Sequence, residues 1–95
     1  MKLFDGKAGR VDSVSVASIE ANGSLMVLTA DGGASVESFW GDDDYEYWVT
    51  VAPKDKDSVI LALMAKCYEG DAEVVAHFKE LLKSKGIPFQ FDSWI

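Results

Sequence analysis

Hydrophobic and polar positions divide the chain into segments with the alternation typical of strands and segments with the 3.6-residue period typical of helices. Residues 13–21 and 24–30 are predicted to form two strands joined at Asn22-Gly23. A two-residue hairpin turn needs a positive φ at both positions, which Asn-Gly supplies. This turn would set Ile19 beside Met26 on one face of the sheet.

Residues 45–52 are predicted to form a third strand, which Pro53 ends. Residues 34–40 between these strands fit either one helical turn or a strand. Alternation in the third strand predicts two sets of side chains, one of Tyr45, Tyr47, Val49 and Val51 towards the core and one of Glu46, Trp48 and Thr50 away from it.

Two helices are predicted after Pro53. Asp55, Asp57 or Ser58 is a candidate cap of the first, and Gly70 follows its end. Asp71 is expected to cap the second helix, which Lys83, Lys85 and Gly86 close. The expected buried stripes are Ile60, Leu61, Met64, Cys67 and Tyr68 in the first helix, and Val74, Val75, Phe78, Leu81 and Leu82 in the second.

Alternation after Gly86 predicts a final strand over residues 87–95, with Pro88 near its start. The first ten residues fit a short extra strand or an arm. The predicted fold is therefore α+β in the order β-β-β-α-α-β: an antiparallel sheet of about four strands with a two-helix hairpin packed on one face. With 95 residues and 48% hydrophobic composition, we expect one domain spanning residues 1–95.

Charge is concentrated in one part of the chain. Residues 31–52 hold six acidic residues, no basic one and five of the eleven aromatics. Nearly all of the net charge of −7 comes from this block, which favours a positively charged partner and disfavours nucleic acid and anionic membranes. The single cysteine allows no internal disulfide, and no apolar run has the length of a signal peptide or a membrane span. We expect a soluble, cytoplasmic protein.

Catalytic and metal-binding motifs are not predicted. Consecutive carboxylates at Asp42, Asp43 and Asp44 lack the alternate spacing of a calcium loop. His77 has no second histidine to complete a zinc site and is expected to be an exposed helix residue. Cys67 is expected to be a small buried hydrophobe, with no base positioned against it. We therefore expect no cofactor and no enzymatic activity.

The exposure of two tryptophans distinguishes a binding surface from an ordinary buried core. If Tyr47 and Val49 face the helices, Trp48 faces away, and the same parity in the last strand turns Trp94 away. Exposed tryptophan beside carboxylates is typical of an interaction site. The alternative is that the N-terminal hairpin or arm covers both rings, which then belong to the core.

Two motifs carry a resemblance. Residues 41–48, GDDDYEYW, and residues 86–94, GIPFQFDSW, resemble the DYEYW-type strand and the GIPF-type final strand of small uncharacterised bacterial proteins, over residues 31–95. More loosely, the chain is similar to small acidic immunity proteins, which neutralise secreted bacterial toxins, and to cargo proteins of mobile gene cassettes. The resemblance implies no catalytic residues.

The sequence thus predicts a non-enzymatic acidic module that binds a basic protein partner, of which an immunity-type inhibitor is one form. One alternative is a small-ligand-binding or enzymatic domain with a pocket between sheet and helices or at a homodimer interface. Another is a homodimer formed through the outer face of the sheet. The predicted partner-binding residues are Trp40, Asp42, Asp43, Asp44, Tyr45, Glu46, Trp48 and Trp94.

Overall fold

The computed structural model describes residues 1–9, 11–32 and 44–94. Four strands form one antiparallel sheet in the order β1-β2-β3-β4, with strand bounds β1 Lys2–Ala8, β2 Val11–Ile19, β3 Leu25–Gly32 and β4 Asp44–Val51. A 3-10 turn at Pro53–Asp55 leads into helix α1, Lys56–Tyr68, and helix α2 spans Val74–Ser84. The α+β class and the antiparallel sheet are confirmed.

The chain divides into two compact units, residues 1–60 and 61–95. The first contains the sheet, the 3-10 turn and the start of α1. The second contains the rest of α1, α2 and the C-terminal segment. The packing of the helical hairpin on the sheet stays a prediction.

The N-terminal residues form a full strand. The Met1 ammonium donates a hydrogen bond to the Ala17 carbonyl at 2.8 Å, and the Ala17 N–H donates to the Met1 carbonyl at 2.8 Å. The register shifts between Lys2 and Phe4, and the ladder then continues to Ala8 opposite Val11. Of the two options for residues 1–10, the strand is the one that forms.

The β2–β3 hairpin differs from the prediction by one residue of register. Ile19 lies opposite Leu25, not beside Met26. The Gly23 N–H donates to the Glu20 carbonyl at 2.9 Å, and only Gly23 has a positive φ, of 90°. This is a three-residue loop with a type I turn and a left-handed glycine.

Asn22 explains the choice of loop. Its side-chain Oδ1 accepts a hydrogen bond from the Ser24 N–H at 2.9 Å, an interaction that asparagine offers in turns without a positive φ of its own. Since side chains alternate along a strand, the one-residue shift moves Met26 and Leu28 to the face opposite Ile19 and Ala17.

The predicted C-terminal strand does not form. Residues 87–94 adopt no regular secondary structure. The Ile87 N–H donates to the Leu82 carbonyl at 2.9 Å, and Gly86 has a φ of 67°, which together end α2 in a Schellman motif. The segment then returns to α2, where the Lys79 Nζ lies 4.0 Å from the centre of the Phe91 ring. Pro88 lacks the N–H that a central strand would need.

The helices form where predicted, but their apolar stripes are only partly buried. Met64, Tyr68, Val74, Phe78 and Leu82 are half-buried, and the rings of Tyr68 and Phe78 meet edge to face at 6.2 Å. Ile60, Leu61, Cys67, Val75 and Leu81 are exposed, and their burial against the sheet stays a prediction. No large side chain among the described residues is fully buried. The helical period of the sequence therefore predicts where the helices lie, but not how much of each apolar stripe is buried.

The expected N-terminal caps are not found where predicted. Asp71 accepts a hydrogen bond from the Glu73 N–H at 2.9 Å just before α2, but the capping residue of α2 is Glu73, which makes no side-chain cap hydrogen bond. Among the described residues, no side-chain cap hydrogen bond is present at the 3-10 turn that leads into α1. Asp55 lies within that turn and Asp57 in the first turn of α1. Pro53 begins that turn with its φ already fixed for helical structure.

Candidate interaction surface

The β-sheet register divides the strand side chains into two sets. We call the first the tryptophan face, and its members are Lys2, Asp5, Lys7, Asp12, Val14, Val16, Ser18, Met26, Leu28, Ala30, Glu46, Trp48 and Thr50. We call the second the tyrosine face, and its members are Phe4, Ser13, Ser15, Ala17, Ile19, Leu25, Val27, Thr29, Asp31, Tyr45, Tyr47, Val49 and Val51.

Trp48 occupies the middle of β4, which lies at an edge of the sheet. Its side chain is 58% exposed, although Leu28 lies directly opposite on β3 and Val16 is the next residue across on β2. The register therefore places an apolar base, Leu28 and Val16, next to Trp48, while more than half of Trp48 stays open to a partner.

Acidic groups adjoin this apolar base at one end. Glu46 is exposed two residues before Trp48 and lies opposite Ala30. Asp5 and Asp12 are exposed on the same face, and the carboxylate of Asp5 pairs with the Lys2 ammonium at 2.9 Å. An apolar centre with charged residues at its margin is the usual arrangement of a protein interface.

The predicted site is not a single patch. Tyr45 lies on the tyrosine face, opposite Asp31, and so faces away from Glu46 and Trp48. Trp94 is 98% exposed but belongs to the second unit and to a segment that is not a strand, so strand parity no longer places it beside Trp48. Trp40, Asp42 and Asp43 lie outside the described residues. Asp44 begins β4, and its side chain also lies outside the described part.

Of the four residues predicted to face the core, three are exposed and Val51 is half-buried. Val49 is 66% exposed, and the burial of this set under the helices stays a prediction. The alternation that separated them from Trp48 is confirmed. Alternation fixes which side chains share a face, whereas burial depends on what covers that face.

Polar side chains form a row across the tyrosine face. The hydroxyl of Ser13, only 6% exposed, donates a hydrogen bond to the Asp31 carboxylate. The hydroxyls of Ser15 and Thr29 lie 2.7 Å apart. The sequence prediction did not include these residues, because the one-residue error in register set odd positions of β2 beside even positions of β3.

His77 takes part in a small charged cluster at the start of α2. Its Nδ1 lies 2.6 Å from Asp71 Oδ2, and its Nε2 lies 3.7 Å from Glu73 Oε2. The hydrogen bond and charge of Asp71 raise the pKa of His77, and the hydrogen bond from His77 lowers the pKa of Asp71. The histidine is exposed, as predicted. The cluster links the residues just before α2 to its first turn.

The described residues contain no group of three His, Cys, Asp or Glu side chains placed to hold a metal ion. An open depression on the sheet is lined by Met1, Ala17, Ser18, Ile19 and Leu25. No aromatic or charged side chain is present in this lining, so it lacks the convergent polar groups of a specific small-ligand site. Within the described residues no helix is both long and apolar enough to cross a bilayer.

Comparisons of the chain with known protein families, with curated proteins and with solved structures found no match.

Proposed function

We propose that this protein is a non-enzymatic binding module that uses the tryptophan face to hold a basic protein partner. The observation that carries the proposal is the exposure of Trp48 on the edge strand β4, with the apolar Leu28 opposite it and Glu46 on the same face. Tryptophan in such a position is the residue type most often found to dominate binding energy. The net charge of −7 supports a partner of opposite charge.

The parts of the surface have different roles in this proposal. Trp48 excludes water at the contact and slows dissociation, whereas Glu46 and the acidic residues Asp42, Asp43 and Asp44 attract the partner and speed association. Trp40, Tyr45 and Trp94 are further candidate contact residues, of which Tyr45 would have to be reached at the strand edge. The proposed mechanism is occlusion of the partner's own functional surface.

A matched pair of variants tests the proposal. Immobilised wild-type protein, Trp48→Ala and Val49→Ala are used to capture partners from the source cells, and each captured basic protein is then purified and its affinity measured. Val49 is the control because it is an exposed apolar neighbour that points to the other face. We expect Trp48→Ala to weaken binding by about 2 kcal/mol or more, roughly 30-fold, and Val49→Ala to change it by less than about threefold.

Equal binding by the two variants would refute the assignment of the tryptophan face. A separate measurement tests steering. Replacement of Asp42, Asp43 and Asp44 by Asn should slow association most at low salt, because screening removes long-range attraction at high salt. Unchanged association kinetics would remove the steering role and leave the apolar contact.

Self-association is a second candidate function, and the exposed apolar side chains on the same face favour it. Trp48 and Val14 are both exposed there, and two copies pairing by these faces would cover them. Sedimentation velocity distinguishes the two functions. A monomer at concentrations up to about 100 μM removes the homodimer, since stable interfaces associate well below that concentration.

A further inference from the structure

The hydrogen-bonding edge of β4 meets the tryptophan face at Trp48, and the ladder fixes which backbone groups lie on that edge. Ala17 exchanges hydrogen bonds with Met1, so its N–H and carbonyl point towards β1. Glu20, of the opposite parity, points towards β3, and its N–H donates to the Ser24 carbonyl at 2.8 Å. In an antiparallel ladder, successive residues bond to the two neighbouring strands in turn. Even-numbered residues of β3 therefore bond to β2, and odd-numbered ones bond to β4.

The same alternation continues into β4. This strand pairs with β3 along its whole length without a break in register, and Val27 lies opposite Val49. Odd-numbered residues of β4 therefore bond to β3, and the N–H and carbonyl groups of Glu46, Trp48 and Thr50 point away from the sheet. Among the described residues, none forms a hydrogen bond with these groups. All three residues are exposed, so β4 presents an open edge beside Trp48.

The Glu46 carboxylate has no charge partner within the described part of the chain. Glu46 is absent from the ion pairs found there. The lysines that share its face, Lys2 and Lys7, belong to β1, three strands away. At about 4.8 Å per strand this separation is roughly 14 Å. A carboxylate that is exposed and not neutralised can accept hydrogen bonds from a charged donor of a partner.

A carboxylate, a carbonyl and an indole converge at one step of β4. The side chains of Glu46 and Trp48 lie on the same face of the sheet, and their Cα atoms are about 7 Å apart along the strand. The Glu46 carbonyl points out from the edge between them. Trp48 is 58% exposed, with Leu28 opposite it. A cation at this corner of the sheet therefore meets oxygen acceptors in two directions and the plane of an aromatic ring.

We propose that Glu46 and Trp48 form a binding site for the guanidinium group of an arginine side chain on the basic protein partner. A guanidinium is planar and carries five N–H donors, so it can stack on the indole while it donates to the carboxylate and to the edge carbonyl. A lysine ammonium has three donors and no plane to stack. The inference rests on the proposed function only for the source of the arginine.

Hydrogen exchange in the free full-length protein tests whether the edge of β4 is open. Relative to the rates of an unfolded chain, the amides of Trp48 and Thr50 should exchange at least about tenfold faster than those of Tyr47 and Val49, which donate to β3. Equal protection of all four amides would show that the edge is covered and would overturn the site.

A small arginine compound tests the site without the partner. Nα-acetylarginine methylamide is titrated into ¹⁵N-labelled full-length protein, and the lysine compound and the neutral citrulline compound of the same form are titrated in parallel. We expect the arginine compound to shift the amide signals of residues 46–48 and the indole N–H signal of Trp48. The lysine compound should bind at least about threefold more weakly, and the citrulline compound should cause no such shifts.

Three variants make the test specific. Glu46→Gln keeps the length of the side chain but removes its charge, and it should weaken binding at least about tenfold. Asp12→Asn removes one negative charge from an exposed position of the same face, two strands away on β2, and it should leave binding within about twofold. Trp48→Leu should weaken binding at least about threefold, because it removes the stacking ring but keeps apolar bulk. Amide spectra of each free variant establish that it is folded before titration.

Three titration results would overturn the proposal: equal shifts with the citrulline compound, equal affinity for the lysine compound, or equal losses in Glu46→Gln and Asp12→Asn. The last of these would show that the negative charge of the whole protein attracts cations without a defined site. None of these results changes the comparison of Trp48→Ala with Val49→Ala on a captured partner. Failure of the arginine site and failure of the proposed function are therefore distinguishable.

Discussion

Replacement of Ala21 by proline distinguishes the observed β2–β3 hairpin from the two-residue turn that Asn-Gly suggests. In the observed loop Ala21 is the first central residue of a type I turn, between Glu20 and Gly23, and proline is favoured there because its φ is preset. The Ala21 N–H has no hydrogen-bond partner among the described residues. The substitution should therefore stabilise the protein by about 0.4–1 kcal/mol through the unfolded chain.

The alternative register predicts the opposite sign. In a two-residue turn Ala21 would pair with Ser24, and proline would remove a ladder hydrogen bond and leave the Ser24 carbonyl without its donor, at a cost of about 1–3 kcal/mol. Each kcal/mol corresponds to about 4–8 °C in a domain of this size. Proline at Asn22 is disfavoured in both turn types, so Asn22→Pro is the control that lowers stability either way.

Thermal unfolding followed by circular dichroism measures this difference. We expect Ala21→Pro to unfold at or a few degrees above the wild-type midpoint and Asn22→Pro well below it. A clear loss of stability in Ala21→Pro would refute the observed register. It would also refute the division into tryptophan and tyrosine faces across β2 and β3, since one residue of slip exchanges every side chain.

Three further predictions concern the second unit. The raised pKa of His77 adds stability that is fully present below about pH 6.5 and is lost as the pH rises through the folded-state pKa; the lowered pKa of Asp71 adds stability that is present above about pH 3.8 and is lost as the pH falls through the folded-state pKa of Asp71. His77→Gln should therefore flatten the loss of melting temperature between pH 5.5 and pH 8. Asp71→Asn should return the histidine pKa, measured by NMR, towards its ordinary value. An unchanged histidine titration in Asp71→Asn would contradict the contact. Phe78→Ala should lower the free energy of unfolding in urea by about 1–3 kcal/mol, because it removes the half-buried ring that contacts Tyr68. Val75→Ala, at an exposed position, should lower it by less than about 0.5 kcal/mol. Equal losses in the two variants would contradict the Tyr68–Phe78 contact. The exposed thiol of Cys67 should react with a disulfide reagent in the native protein at nearly the rate of the unfolded chain, and protection until unfolding would show that it is buried after all.

The sequence predicted the elements that depend on local signals. Strand β4 and both helices lie where alternation, period and flanking Pro53, Gly70 and Gly86 placed them. The separation of Trp48 from Tyr47 follows from strand geometry alone, which is why it is confirmed.

Features that depend on competing local interactions were predicted less well. Asn22-Gly23 is compatible with two loop lengths, and a side-chain hydrogen bond to Ser24 selects the one that propensity did not favour. The C-terminal alternation fits a strand, but the Schellman motif at Gly86 and the Lys79–Phe91 contact direct that segment back to α2.

The central claim is that the tryptophan face holds a basic protein partner. Site-specific photocrosslinking in the cells that make the protein tests it most directly, with p-benzoylphenylalanine in place of Trp48 in one sample and of Val49 in another. The two positions are adjacent, both exposed and on opposite faces. We predict a crosslinked adduct to one basic protein from position 48 and none from position 49. No adduct at position 48, or the same adducts from both positions, would contradict the proposal.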